Sequence, residues 1–115
     1  MTKPKHTDIK VEENKYQHKI YDVTITSPEF SCVCPKTGLP DFATIEITYS
    51  PDKDLVELKS LKLYLLNYRS IGIFHEHAVN QIYEDFKRAC SPRDLRVNGL
   101  FRARGGITTA VCVES

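Results

Sequence analysis

The chain lacks an excess of either charge and lacks any long apolar run. Its 16 Lys+Arg against 15 Asp+Glu leave a formal net charge of +1. Bulk charge therefore implies no polyanionic partner, and a basic nucleic-acid module is disfavoured. No pure apolar stretch is longer than Leu63-Tyr-Leu-Leu66, far short of the ~20 residues that a membrane span needs. Met1-Thr-Lys-Pro-Lys-His6 has no apolar segment behind its charges, which speaks against a secretory signal. A cytoplasmic protein is expected, with Cys32, Cys34, Cys90 and Cys112 as reduced thiols. No repeat or low-complexity tract is visible. What is present suffices for a core. Ile, Leu, Val and Phe make up 31 of the 115 residues, above the ~20% below which disorder is expected. The length fits one domain.

Residues 1–15 are polar and read as a flexible N-terminal arm, leaving 16–115 as the single domain. A period of two begins near residue 20, where Tyr21, Val23 and Ile25 alternate with Asp22, Thr24 and Thr26. Ser27-Pro-Glu-Phe30 and the Pro/Gly-rich stretch Ser31–Pro40 read as a loop. Ala43, Ile45, Ile47 and Tyr49 then form one face of a second strand. Leu58, Leu61, Leu65 and Tyr68 have helical spacing, with Gly72 at the position of a C-terminal cap. Phe74, Ala78, Val79, Ile82, Tyr83 and Phe86 form the stripe of a second helix. Leu95, Val97, Gly99, Phe101 and Ala103 return to period two, Gly105-Gly106 turns the chain, and Ile107–Val113 closes it. The order is β-β-α-α-β-β: an α+β fold, an antiparallel sheet with two helices on one face. Neither lysine nor proline blunts the edge strand Tyr21–Thr26, so pairing with another copy into a homo-oligomer is expected.

Chemistry-bearing residues cluster in four places. Cys34 sits in an irregular Pro/Gly loop rather than in an apolar stripe, and Asp41 follows where the second strand starts. A thiol beside an acid offers a nucleophile and a proton donor, although a loop thiol and a turn aspartate fit the same residues. His75-Glu76 opens the second helix, where a carboxylate is favoured by the helix dipole. It is either a solvated helix-start acid or an acceptor for a guanine-like edge. Lys59 and Lys62 share a helix face, either as a solvated surface or as a phosphate clamp, and Arg102 and Arg104 add cations. Zinc is disfavoured: Cys32-x-Cys34 and His75-x-His77 lack the usual ligand spacing, and positions 75 and 77 lie about 200° apart around a helix.

Three of these stretches occur together in one family. Cys34-Pro-Lys-Thr-Gly-Leu-Pro-Asp-Phe42, Glu57-Leu-Lys-Ser-Leu-Lys-Leu-Tyr64 and Phe74-His-Glu76 resemble the NADPH-dependent 7-cyano-7-deazaguanine reductases, the nitrile reductases of queuosine biosynthesis. The middle stretch fits the family signature at every position, and Arg104-Gly-Gly-Ile107 fits its closing hairpin. The resemblance spans about residues 20–112 and is closest to the single-module members. It implies the tunnelling fold, whose subunits join edge to edge, here as pentameric rings stacked into a decamer. It implies Cys34 as the nucleophile that forms a covalent thioimide and Asp41 as the proton donor. Val56, Glu57, Leu58, His75 and Glu76 become substrate-binding positions. Lys59 and Lys62, with Arg104 as a weaker addition, become NADPH-binding ones. Leu58 stands where other members carry serine, so any polar contact there comes from backbone. The alternatives are a related amidinotransferase, which acts on the nitrile base already in tRNA, and a non-enzymatic small-ligand or RNA-binding module. The intact Glu57–Tyr64 stretch argues for reduction.

Overall fold

The computed structural model of the protein describes residues 3–115. Four strands, β2 (Val23–Val33), β3 (Pro40–Ser50), β5 (Asp94–Arg104) and β6 (Ile107–Glu114), form an antiparallel sheet in the order β2-β3-β5-β6. Helices α1 (Leu58–Leu66) and α2 (His75–Cys90) cover one face. The period of two shows directly in burial: Ala43, Ile45, Ile47 and Tyr49 on β3, and Leu95, Val97 and Phe101 on β5, all point into the core. Burying each large apolar side chain contributes roughly 1.5–3 kcal/mol. α2 answers with Ala78, Val79, Ile82, Tyr83 and Phe86, and Tyr49 meets Phe86 edge to face at 5.0 Å. The helix comes so close that a Cβ built on Gly99 of β5 would lie 2.6 Å from Val79 Cγ2. Gly105 and Gly106 both carry positive φ, 59° and 82°, as a two-residue hairpin between Arg104 and Ile107 requires.

β2 is longer than its alternation suggests. It runs through Pro28 to Val33, with a bulge where the register slips between Ser27 and Phe30. The extra residue reverses the side-chain parity. Val23 and Ile25 face the helices before the bulge, and Phe30 and Cys32 face them after it. Proline is tolerated because β2 is an edge strand. That edge is therefore not bare, as its first residues imply: the bulge and Pro28 interrupt it.

The N-terminal segment is not a free arm over the described residues. A 3-10 turn at His6–Asp8 leads into β1 (Val11–Glu13), which pairs antiparallel with β4 (Asp54–Val56). Ile9 is buried in the core and Asn14 is buried among polar partners. Asn14 Nδ2 donates to Asp52 O at 2.8 Å, and Asn14 Oδ1 accepts from Tyr21 Oη at 2.7 Å. A segment poor in apolar residues is thus ordered by one buried side-chain amide and a two-stranded pairing. Met1 and Thr2, the start of the expected arm, lie outside the described residues.

Gly72 does not cap α1. That helix tightens into a 3-10 turn at Asn67–Ser70, and the chain then lies beside the end of β2. Val33 N donates to Ile71 O and Ile73 N to Val33 O, both at 2.9 Å, around a parallel bridge between Val33 and Gly72. This short splice brings the start of α2 against the end of β2. Leu58 and Phe74, assigned to apolar stripes by spacing, are both exposed, and Phe74 is the residue before the first turn of α2. Among the described residues, no helix is long and apolar enough to cross a membrane.

Candidate active site

The stretch after β2 is a tight loop. Cys34 N donates to Leu39 O and Gly38 N to Cys34 O, each at 2.9 Å. Gly38 has φ 74°, a conformation that glycine adopts without steric cost. The reversed parity behind the bulge points the chain so that Cys34 follows Cys32 on the helix side of the sheet. The Thr37 hydroxyl and the backbone N–H groups of Thr37 and Lys36 bear on the sulfur and hold the Cys34 thiol below its ordinary range, with the Arg104 guanidinium adding to the effect. Donors gathered on one atom favour the anion there, as at a helix N-terminus. Cys32 is the reverse case: burial and the nearby Asp41 carboxylate push its thiol up to about 11.

Asp41 continues the inward face of β3 and is only 8% exposed. Its two oxygens are held separately. Arg104 Nη2 stands 2.7 Å from Oδ1, and His75 Nε2 stands 3.0 Å from Oδ2. The His75 ring lies flat on Phe101, with centroids 3.8 Å apart and planes 5° from parallel. A histidine so clamped presents a fixed edge to the carboxylate. Cys34, Asp41, His75, Glu76 and Arg104 line one cleft of about 190 Å³. Glu76 lies in the first turn of α2 and is exposed. Among the described residues, no cation forms an ion pair with its carboxylate, which leaves it free to meet a ligand.

The remaining positions stand elsewhere. Leu58 and Lys62 line a second, larger and mostly apolar cleft between α1 and the bulge of β2, of about 370 Å³. Val56, Glu57 and Lys59 line neither. Val56 is buried in the core and its N–H donates to Tyr49 Oη at 3.1 Å. Glu57 caps α1: its carboxylate accepts from Lys59 N at 2.8 Å and Ser60 N at 2.9 Å, and these bonds hold it below the usual carboxylate range. Arg104 is likewise not a free phosphate clamp, because its guanidinium is committed to Asp41 and to the Cys34 loop. Arg102 is exposed. Cys112 is exposed on β6.

Sequence reasoning overlooked Thr37 and Phe101 as site residues. Thr37 lies inside the Cys34–Phe42 stretch, but its partner Arg104 is 67 positions away, a separation that no local pattern reports. Phe101 reads as core from its alternation, and its second duty under His75 depends on how the strand and α2 dock.

Residues 40–115 match the family model described as QueF-like protein. The NADPH-dependent 7-cyano-7-deazaguanine reductase of Chlorobaculum tepidum is 51% identical over 106 residues, covering 92% of this chain and 91% of that protein. The protein of the same name from Nitrosococcus oceani is 50% identical over 101 residues, covering 88% of this chain and 78% of its own length. That from Nitrosomonas eutropha is 46% identical over 114 residues, covering 99% and 82%. The crystal structure of an archaeosine synthase QueF-Like in the apo form superposes with a TM-score of 0.73 at 22% identity, covering 84% of this chain and 92% of that one. That structural likeness establishes the shared tunnelling fold.

Proposed function

The chain belongs to the QueF-like family, and from that premise we propose that it is an NADPH-dependent 7-cyano-7-deazaguanine reductase that makes the 7-aminomethyl base through a thioimide on Cys34. The observation that carries the proposal is the single cleft in which an acidified Cys34, Asp41 and the free carboxylate of Glu76 converge. Glu76 accepts from the N1–H and 2-amino group of the base, beside His75. A charged acceptor suits two parallel donors. That pose sets the nitrile toward the sulfur.

A nitrile is a poor hydride acceptor. Cys34 Sγ adds to the nitrile carbon, an S–C bond forms, the triple bond becomes C=N, and the thiol proton ends on nitrogen through Asp41. Nothing is expelled. NADPH, when bound, supplies one hydride to this thioimide carbon and a second to the imine that follows. Between the two, the C–S bond breaks and the electron pair returns to sulfur. The donors that acidify Cys34 also make it a better leaving group. Asp41, buried between Arg104 and His75, delivers the nitrogen-bound protons.

The second cleft fits the cofactor's chemistry. Its apolar walls suit a ring, and Lys62 at its rim forms no ion pair among the described residues. Lys62 would hold phosphate there, and Lys59, three residues back on the same helix, would reach it from outside the cleft. Ligand sites commonly enclose ~300–1,000 Å³, so the cleft of about 190 Å³ covers a fused bicyclic base only in part. Glu57, Leu58 and Lys59 of a second copy would complete it. β2 and β6 are the two sheet edges, and joining them edge to edge builds the ring, by resemblance a pentamer stacked into a decamer. All four cysteines are free, as chemistry needing a reduced Cys34 in the cytoplasm requires. The test is NADPH absorbance on adding the free nitrile base. Reductase activity consumes two NADPH per amine; an amidinotransferase or a binding module leaves the absorbance flat.

A further inference from the structure

Arg104 gathers an unusual set of acceptors. Nη1 donates to Thr37 Oγ1 at 2.8 Å, and Nη2 reaches Leu39 O and Pro40 O at 3.0 Å and Asp41 Oδ1 at 2.7 Å. One guanidinium thus ties the loop that carries the nucleophile to the acid that serves it. Thr37 Oγ1 also accepts from Leu39 N at 3.2 Å. A hydroxyl has two acceptor sites and one proton. With both acceptor sites taken, its proton is left to be donated, and the turn that Gly38 N closes on Cys34 O at 2.9 Å sets Cys34 beside it.

We propose that Arg104 and Thr37 are positioning residues: Arg104 fixes the Thr37 hydroxyl as a proton donor to Cys34 Sγ while holding Asp41 in the same grip. The inference deepens the reductase reading and rests on it for its catalytic meaning. Its geometry stands on the apo protein. The groups facing Cys34 are Thr37 and the Lys36 N–H on its own loop, Cys32 on β2, Asp41 on β3, His75 and Glu76 on α2, and Arg104 on β5. Of these, Arg104 alone touches the thiol's donor and the acid together. Lysine could not replace it, because an ammonium lacks the planar fork that serves several acceptors at once.

The first readout needs neither nitrile nor NADPH. The rate of Cys34 alkylation by iodoacetamide is followed against pH by peptide mass spectrometry. Thr37→Val should move the midpoint up by about one pH unit, a roughly tenfold slower reaction on the acid limb. Thr37→Ser should titrate like the wild type, which a merely space-filling role for the threonine would not predict. Arg104→Lys should also move the midpoint up, and in turnover should lower kcat with little change in KM for the base. Thr37 is exposed, so its variants leave the core intact. If Arg104→Lys does not fold, Arg104→Gln, which drops the charge and all but two of the N–H donors, is assayed in its place. A wild-type midpoint in Thr37→Val overturns the proposal, and one in both Arg104 variants removes Arg104 from it. Shifted midpoints in a protein that forms no nitrile adduct would sink the reductase reading and leave the positioning roles standing.

Discussion

Cys32 and Cys34 stand two positions apart on one side of the same strand end, and their surroundings drive their thiols in opposite directions. Burial and the Asp41 carboxylate keep Cys32 protonated, with its thiol pushed up to about 11. Three donors from Lys36 and Thr37 favour the Cys34 thiolate. Reactivity follows thiolate fraction, so Cys34 begins to react at a lower pH than an ordinary cysteine and Cys32 stays inert through neutral pH. Glu76 carries the recognition side of the same argument. Glu76→Gln should weaken base binding roughly ten- to a hundredfold with the fold unchanged, since a charge-assisted pair is lost; calorimetry showing equal affinity would reduce Glu76 to a helix-start acid. Cys34, Asp41, His75 and Glu76 are legible in the sequence because each sits in a short local pattern. Arg104 is visible there only as a cation. That it serves Asp41 and Thr37 depends on the β5 end folding over the loop, a contact with no local signature.

At the scale of elements, the inward faces of β3, β5 and α2 follow from periodicity alone, because burial on one side imposes it. The β2 bulge escapes the same reading. One extra residue beside Pro28 flips the parity, so the strand looks like a loop although it continues to Val33. The ordered N-terminal segment escapes it too, because buried Asn14 replaces the apolar residues that a pattern search weighs. The tightest contact between layers gives a direct test. Gly99→Ala would place its Cβ against Val79 Cγ2 and 3.0 Å from the Phe101 ring, the ring that carries His75. Overpacking of this kind costs about 1–3 kcal/mol. Urea unfolding should show that loss, and Val79→Ala in the same chain should recover part of it. An additive double variant would mean that the sheet moves away from α2 instead.

For the whole molecule, the separation of Cys34 and Glu76 in one cleft from Leu58 and Lys62 in another is the main consequence of the fold. Cys34 and Glu76 share one chain's cleft, so Cys34→Ala mixed with Glu76→Ala should not regain activity. Cys34→Ala mixed with Glu57→Ala should, because some mixed interfaces then carry both native groups; a stable ring without rescue would mean that Glu57 serves only α1. The strand order was legible in the sequence, whereas the placing of the two clefts needed the positions of α1 and α2. The proposed reaction turns on Cys34, and intact-protein mass spectrometry tests that role most directly. The protein is incubated with 7-cyano-7-deazaguanine and no NADPH, then chased with NADPH. The predicted result is a mass gain equal to the entire base, mapped to Cys34, absent in Cys34→Ala, retained in Cys32→Ala, and discharged as the amine on the chase. No adduct, an adduct on Cys32, or continued reduction by Cys34→Ala would contradict it.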